Sequence, residues 1–396
     1  MTFSCVQILL YTTIPYIADT TLLQTATIIG SISVGSFIFA GMGPFWAAKS
    51  DTWGRKRVLS LGMLGMGFSF LLLSALFLFN QELSMTMKVS MIYGSRVIYG
   101  LLASAVVPVS QAWQLDLIDT KDKMKVLTRN SMCLNVGRIL GPILILFKQV
   151  NFEHIIYAAT AWVFVLSVGC LLTSKTSVKI AAVATESLGS AWLQWKKLLR
   201  ESVLPILLAL IFTSFIGVLH STLGHHLKVT FNIRGDEATV LFAKIVLAIS
   251  LFSLVVQQSS QWIFKREWKM RLITGASSLV FGSFLLSFAT TMTFIWVSLA
   301  FIATGLALIP AVYLALISHT KVADNVTGKK IGFASIAHSL GYAFGAGMVA
   351  ISMKLNIVSN MTVISFISIV TLVIVASLIL NKSDFILPNK SASVAE

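Results

Sequence analysis

Asp51-Thr52-Trp53-Gly54-Arg55-Lys56-Arg57-Val58-Leu59 sets one acid and three bases between two long apolar runs. Charge this dense is not accommodated in hydrocarbon, so the stretch reads as a turn at a membrane surface. Gly54 supplies the tight turn, and Asp51 sits where it can pair with a base or cap a neighbouring helix N-terminus. Outward from it in both directions, apolar runs of about twenty residues, each enough to span a bilayer, recur along the whole chain. They fall near 2–18, 24–47, 58–79, 89–113, 127–149, 154–174, 203–223, 238–260, 272–290, 293–318, 331–353 and 358–380.

Of the 396 residues 56% are hydrophobic and 11% charged, and the mean hydropathy is +0.87. That composition excludes a soluble globular protein. No Lys or Arg precedes the first run and no small-residue cleavage site follows it, so it reads as a retained helix, not a signal peptide. It offers about 17 residues where about 20 are usual. Either that helix is thin or the chain starts upstream.

A net charge of +15 would suggest nucleic acid in a soluble protein. Here the bases gather in alternate turns, at Lys49 to Arg57, Lys121 to Arg129, Lys175 to Arg200, Lys265 to Arg271 and Lys321 to Lys330, and in the tail. The other turns hold only Lys88, Lys148, Lys228, Arg234 and Lys354. The positive-inside rule then expects a multi-pass inner-membrane protein with both termini cytoplasmic, with the lipid bilayer and not nucleic acid as partner. Cys5, Cys133 and Cys170 all fall in apolar spans, without disulfide or metal spacing.

The longest polar interval, 175–201, is expected to link an N-terminal half (1–174) to a C-terminal half (202–381), with 382–396 as a tail. Gly137-x-x-x-Gly141 recurs as Gly341-x-x-x-Gly345, and Gly100 is echoed by Gly305 at nearly the same offset. Small residues four apart let membrane helices approach closely. Their recurrence argues for two duplicated halves related as parallel repeats.

The opening stretch has the pattern D-x-x-G-R-K-x-x-L, which resembles the helix 2 to helix 3 loop signature of the major facilitator superfamily, with Ala47 where a leading Gly is expected. Arg96-Val-Ile-Tyr99-Gly100 resembles its fourth-helix R-x-x-Q-G motif, with Tyr99 in place of Gln. Gly137-x-x-x-Gly141-Pro142 resembles the fifth-helix motif of its exporters, although Ile145 and Leu146 replace the trailing glycines. In the second half the corresponding loop, Lys265 to Arg271, lacks the Asp and Gly. Over essentially the whole chain the sequence is similar to the twelve-helix drug:proton antiporter group. The resemblance implies an all-α membrane protein of two six-helix halves working by alternating access. It would need no cofactor, drawing on a proton gradient or the membrane potential, and Asp51, Gly54, Arg55, Lys56, Gly137, Gly141 and Pro142 would serve its conformational change. It is expected to act as a monomer.

Charges inside the spans bear on the cargo. In that fold helices 3, 6, 9 and 12 lie outside the cavity, and here their spans hold no charge. Arg96, Arg138, His220, Lys244 and His338 fall on the fourth, fifth, seventh, eighth and eleventh spans. An Arg or Lys at mid-bilayer costs roughly 2.5–3.5 kcal/mol, so it needs a partner or water. Yet no Asp or Glu lies inside any span; Asp19, Asp51, Glu82, Asp116, Asp119, Glu153 and Glu237 sit at ends or in turns. The cavity is therefore expected to be electropositive and to suit an organic anion.

Arg96 and Arg138 are the expected anion grips, since a guanidinium matches a carboxylate and stays charged; either could equally be a structural anchor. His220, His338 and a desolvated Lys244 are the candidates for proton coupling, and each histidine also reads as a packing residue. Tyr99, Tyr313 and Tyr342, with Gln111 and Trp113, would complete the walls. The spacing of His220, His225 and His226 is not a metal signature. The expected function is export of a small organic anion, for instance a hydroxycarboxylate siderophore. The alternatives are a multidrug efflux proton antiporter, an organic anion importer and, from another class, a membrane acyltransferase, for which no His and acid constellation appears; no enzyme activity is expected.

Overall fold

The computed structural model describes residues 1–116, 123–147, 151–172, 188–264, 267–318, 327–356 and 360–381, with side chains omitted at 115, 123–132, 188–202, 327–333, 360–362 and 381. The expected tail, 382–396, and linker residues 175–187 lie outside the described residues. Among these the structure is wholly helical. The helices are α1 (Thr2–Thr12), α2 (Ile14–Thr21), α3 (Thr25–Trp53), α4 (Arg55–Leu78), α5 (Met85–Leu102), α6 (Val106–Asp116), α7 (Lys123–Leu146), α8 (Phe152–Leu172), α9 (Leu188–Phe231), α10 (Gly235–Ile263), α11 (Trp268–Ser287), α12 (Met292–Ser318), α13 (Thr327–Leu355) and α14 (Asn360–Asn381). They make twelve membrane spans in two six-helix halves, because α1 with α2, and α5 with α6, each form one span. Ten stretches are individually long and apolar enough to cross a bilayer.

The first span extends further than expected, to Thr21, and is broken at Thr13. Pro15 causes the break, for it lacks an N–H and its ring would clash with the carbonyl four residues back. Backbone groups at such a break cannot meet water in a bilayer, and two threonines bond to the carbonyls of the preceding turn. Thr12 Oγ1 donates to Ile8 O at 2.9 Å and Thr13 Oγ1 to Leu9 O at 2.9 Å. The fourth span tightens into a 3₁₀ turn at Ala103–Ala105, just ahead of Pro108. Residues 188–201 of the expected linker are helical and continuous with the seventh span in α9.

The glycine echo is realised as packing. α7 lies on α1 through Gly137, where a Cβ would stand 3.0 Å from Ser4 Cβ and 3.1 Å from Cys5 N. In the other half α13 lies on α9 through Gly345, where a Cβ would stand 2.9 Å from Val218 N. Gly100 and Gly305 are not equivalent in the same way. Gly100 meets Gly35 and Ile38 of α3, whereas Gly305 meets Gly275 and Leu279 of α11.

The halves join at one end of the molecule, opposite the basic α3–α4 turn. Ser33 Oγ donates to Ala343 O at 2.8 Å, and Tyr16 N to Thr239 Oγ1 at 3.2 Å. Leu9, Ile145 and Ala243 pack together, drawing α1, α7 and α10 into one apolar cluster. Asp19 at the end of α2 ion-pairs with Lys228 of α9 and accepts from Gly235 N–H, at the start of α10, at 2.7 Å.

Candidate transport cavity

The turn between α3 and α4 positions the motif that opened the sequence. Gly54 adopts φ +91°, a conformation costly for any other residue, and a Cβ there would meet nothing, so glycine is needed for its backbone alone. The turn directs Arg55 inward, where it is only 8% exposed. Its Nη1 pairs with Asp51 Oδ1 at 2.6 Å and donates to Ser50 Oγ at 2.5 Å. Its Nε pairs with Asp116 Oδ2 at 2.8 Å, tying α4 to the end of α6. Asp116 was read from the sequence merely as an acid at a span end. Nothing local marks it, since its partner is 61 residues away.

Arg138 of α7 is exposed despite its place within a span. It is near enough to His220 of α9, Tyr313 of α12, and His338 and Tyr342 of α13 for its charge to act on these residues of the opposite half. No carboxylate lies within ion-pair distance of it among the described residues. The facing wall is ordered by aromatic and imidazole contacts. His338 Nε2 and Tyr313 Oη are 2.7 Å apart, their rings edge to face at 5.6 Å. His220 stands between Tyr342, at 6.4 Å, and Tyr11 of α1, at 5.6 Å. Tyr11, absent from the sequence-based candidates, therefore carries the wall from one half to the other.

Arg96 is separated from that space. It is 4% exposed and stays within the N-terminal half. Its Nε donates to Ser95 Oγ at 3.1 Å, and its Nη2 to Ser95 Oγ at 2.7 Å and Ser69 Oγ at 3.0 Å. The guanidinium carbon lies 5.4 Å from the Tyr99 ring and 5.7 Å from that of Phe70. A cavity of about 20 Å³ adjoins it, lined by Gln7, Tyr11, Ser36 and Tyr99 among others. Ligand pockets for metabolites run to about 300 Å³ or more, so Arg96 does not reach a substrate-sized space in this conformation.

Lys244 is positioned by the face of α10 that it occupies. Along α10 the buried residues Ala238, Thr239, Phe242, Ala243, Ile245 and Val246 define the core face. At about 100° per residue Lys244 falls opposite it, on the stripe of Leu251, Val255 and Trp262, all strongly exposed. Lys244 is itself exposed, away from the core face of α10. Its stem can snorkel toward the interface. Of the other wall candidates, Gln111 and Trp113 of α6 are half-buried. Among the described residues no group of His, Cys, Asp or Glu has metal-binding proximity, His225 and His226 included.

The sequence matches the Major Facilitator Superfamily family model over residues 1–346. The chain belongs to this superfamily. It is 26% identical over 326 residues to "Multidrug resistance protein 2" of Bacillus subtilis (strain 168), covering 79% of this chain and 76% of that one. Among solved structures it is similar to the D-xylose-proton symporter, with TM-score 0.69, 16% identity and coverage of 94% and 95% of the two chains. It is similar also to the human organic anion transporter MFSD10, with TM-score 0.60, 15% identity and coverage of 94% and 98%. At these identities the two structures establish the superfamily fold. The motif departures, Ala47, Tyr99, Ile145 and Leu146, all lie within the residues that match the superfamily.

Proposed function

We propose that the protein exports a small organic anion, its two halves rocking about a midplane site centred on Arg138. One observation carries this reading: Arg138 is exposed inside the spans, opposite His220, His338, Tyr313 and Tyr342, with no carboxylate in ion-pair range among the described residues. An unpaired guanidinium facing hydrogen-bonding walls attracts a carboxylate or phosphate and repels a cation. A carboxylate-rich metabolite, such as a hydroxycarboxylate siderophore, is the class of cargo that fits. With the basic turns taken as cytoplasmic, the Asp19–Lys228 and Ser33–Ala343 contacts at the far end support a conformation closed to the outside, from which cargo would load for export.

The energetics favour that direction. Moving one negative charge out of a cell that is negative inside gains about 2.3 kcal/mol per 100 mV. Where protons are coupled, His220 and His338 are the candidate groups to carry them.

A second reading, multidrug efflux, rests on the similarity to the Bacillus subtilis multidrug resistance protein. Comparing medium and cell extract of a deletion strain and its parent, iron-replete and iron-starved, tests the two. A carboxylate missing from the medium and retained in the cells supports anion export. Unchanged anions, with new sensitivity to cationic toxicants, support multidrug efflux.

A further inference from the structure

We propose that the cavity beside Arg96, wholly within the N-terminal half, is a binding site for a halide-sized inorganic anion, of which chloride is the common instance. This site is distinct from the Arg138 space and does not depend on what that space carries. Arg96 is 96% buried by its 4% exposure, yet no described carboxylate pairs with it. Its Nε and Nη2 are satisfied by the neutral hydroxyls of Ser95 and Ser69, while Nη1 has no hydrogen-bond partner among the described residues. Serine oxygens solvate the guanidinium without cancelling its charge, and a buried charge without a counter-charge is costly.

A second donor points the same way. Tyr99 Oη is buried and has no hydrogen-bond partner among the described residues. Buried polar groups are almost always paired, so an orphan signals a missing ligand or water. Arg96 and Tyr99 line one cavity, and the other polar groups on its wall, from Gln7, Tyr11 and Ser36, are all able to donate. None is a carboxylate. The cavity therefore gathers donors around a cation, which is the chemistry of an anion site.

Size limits the ligand. About 20 Å³ exceeds the roughly 10–15 Å³ that one water needs and falls far short of a metabolite pocket. Water would satisfy the donors but leave the charge unpaired; a halide does both. Tyr11 separates this cavity from the central one, lining it on one side and meeting the His220 ring on the other. An anion held here would lock α4 and α5 together through Ser69, Ser95 and Arg96.

The test is thermal unfolding of the purified full-length protein, titrated with sodium chloride or sodium bromide against sodium gluconate at constant ionic strength. The wild-type protein is expected to show a saturable rise in unfolding temperature with either halide and none with gluconate. Arg96→Gln should abolish the halide response. Tyr99→Phe, which keeps the packing and removes one hydrogen bond to an ion, should raise the half-saturating concentration about tenfold or more. Lys244→Leu, which deletes an exposed charge in the other half that does not line this cavity, should leave the response intact. The proposal is overturned by a wild-type response no larger with halide than with gluconate, or by loss of the response in Arg138→Gln and not in Tyr99→Phe. Saturation by sodium acetate in place of halide would overturn it too, making the cavity a carboxylate subsite.

Discussion

Asp19 and Lys228 join the two halves across the end of the molecule remote from the basic turns, one from the close of α2 and the other from the last turn of α9. Asp19 also accepts from the Gly235 amide at 2.7 Å, at the N-terminus of α10, where the helix dipole favours an acid. One carboxylate thus fastens the first span to the seventh and eighth. Alternating access requires this fastening to break when that end opens.

Asp19→Asn should weaken it. Both side chains are about a third exposed, which limits the ion pair to about 0.5–1 kcal/mol, a two- to fivefold shift in population. Spin labels at Gln81 and Val229 flank this end on opposite halves. In a cysteine-free background their distance distribution should gain a longer component in Asp19→Asn. An unchanged distribution would mean that the apolar contacts alone hold the end shut.

Asp116→Asn should destabilise the protein more than Asp51→Asn. Asp51 pairs with Arg55 within one turn and is half exposed, a contact worth about 0.3–0.5 kcal/mol. Asp116 reaches Arg55 from another helix and is less exposed, so its charge-assisted bond is worth about 1–2 kcal/mol. Unfolding temperatures of the two variants in one detergent give the order, and the reverse order would remove Asp116 as the principal anchor.

Gly345→Ala is expected to cost about 1–3 kcal/mol, because its Cβ would stand 2.9 Å from Val218 N, a backbone atom that cannot move aside. Gly41→Ala is the matched control, since its Cβ would meet nothing within 4 Å. Equal folded yields and unfolding temperatures would show that α13 and α9 separate freely.

The spans were legible because hydropathy is a local property, and the half-to-half repeat because glycine pairs mark close helix approach in sequence. Arg138 could be found as a charge without a nearby acid. The Arg55–Asp116 pair could not, since nothing in a sequence relates α4 to the end of α6. The face of α10 that carries Lys244 was readable from spacing. The spacing of Lys244 to Leu251, Val255 and Trp262 already placed it on one exposed stripe. Tyr11 was overlooked because a tyrosine in an apolar helix looks like core; its contact with His220 needs both halves in place.

The central claim is that Arg138 receives an anion, and complementation of a deletion strain tests it most directly. Strains carrying the wild-type protein, Arg138→Gln or Arg138→Lys, matched for membrane abundance, would be compared for anionic metabolites in the medium. The account predicts that wild type restores a carboxylate to the medium, Arg138→Lys restores part of it, and Arg138→Gln restores about a hundredth or less, about 2.7 kcal/mol lost at a charge-assisted contact. Full restoration by Arg138→Gln would contradict it.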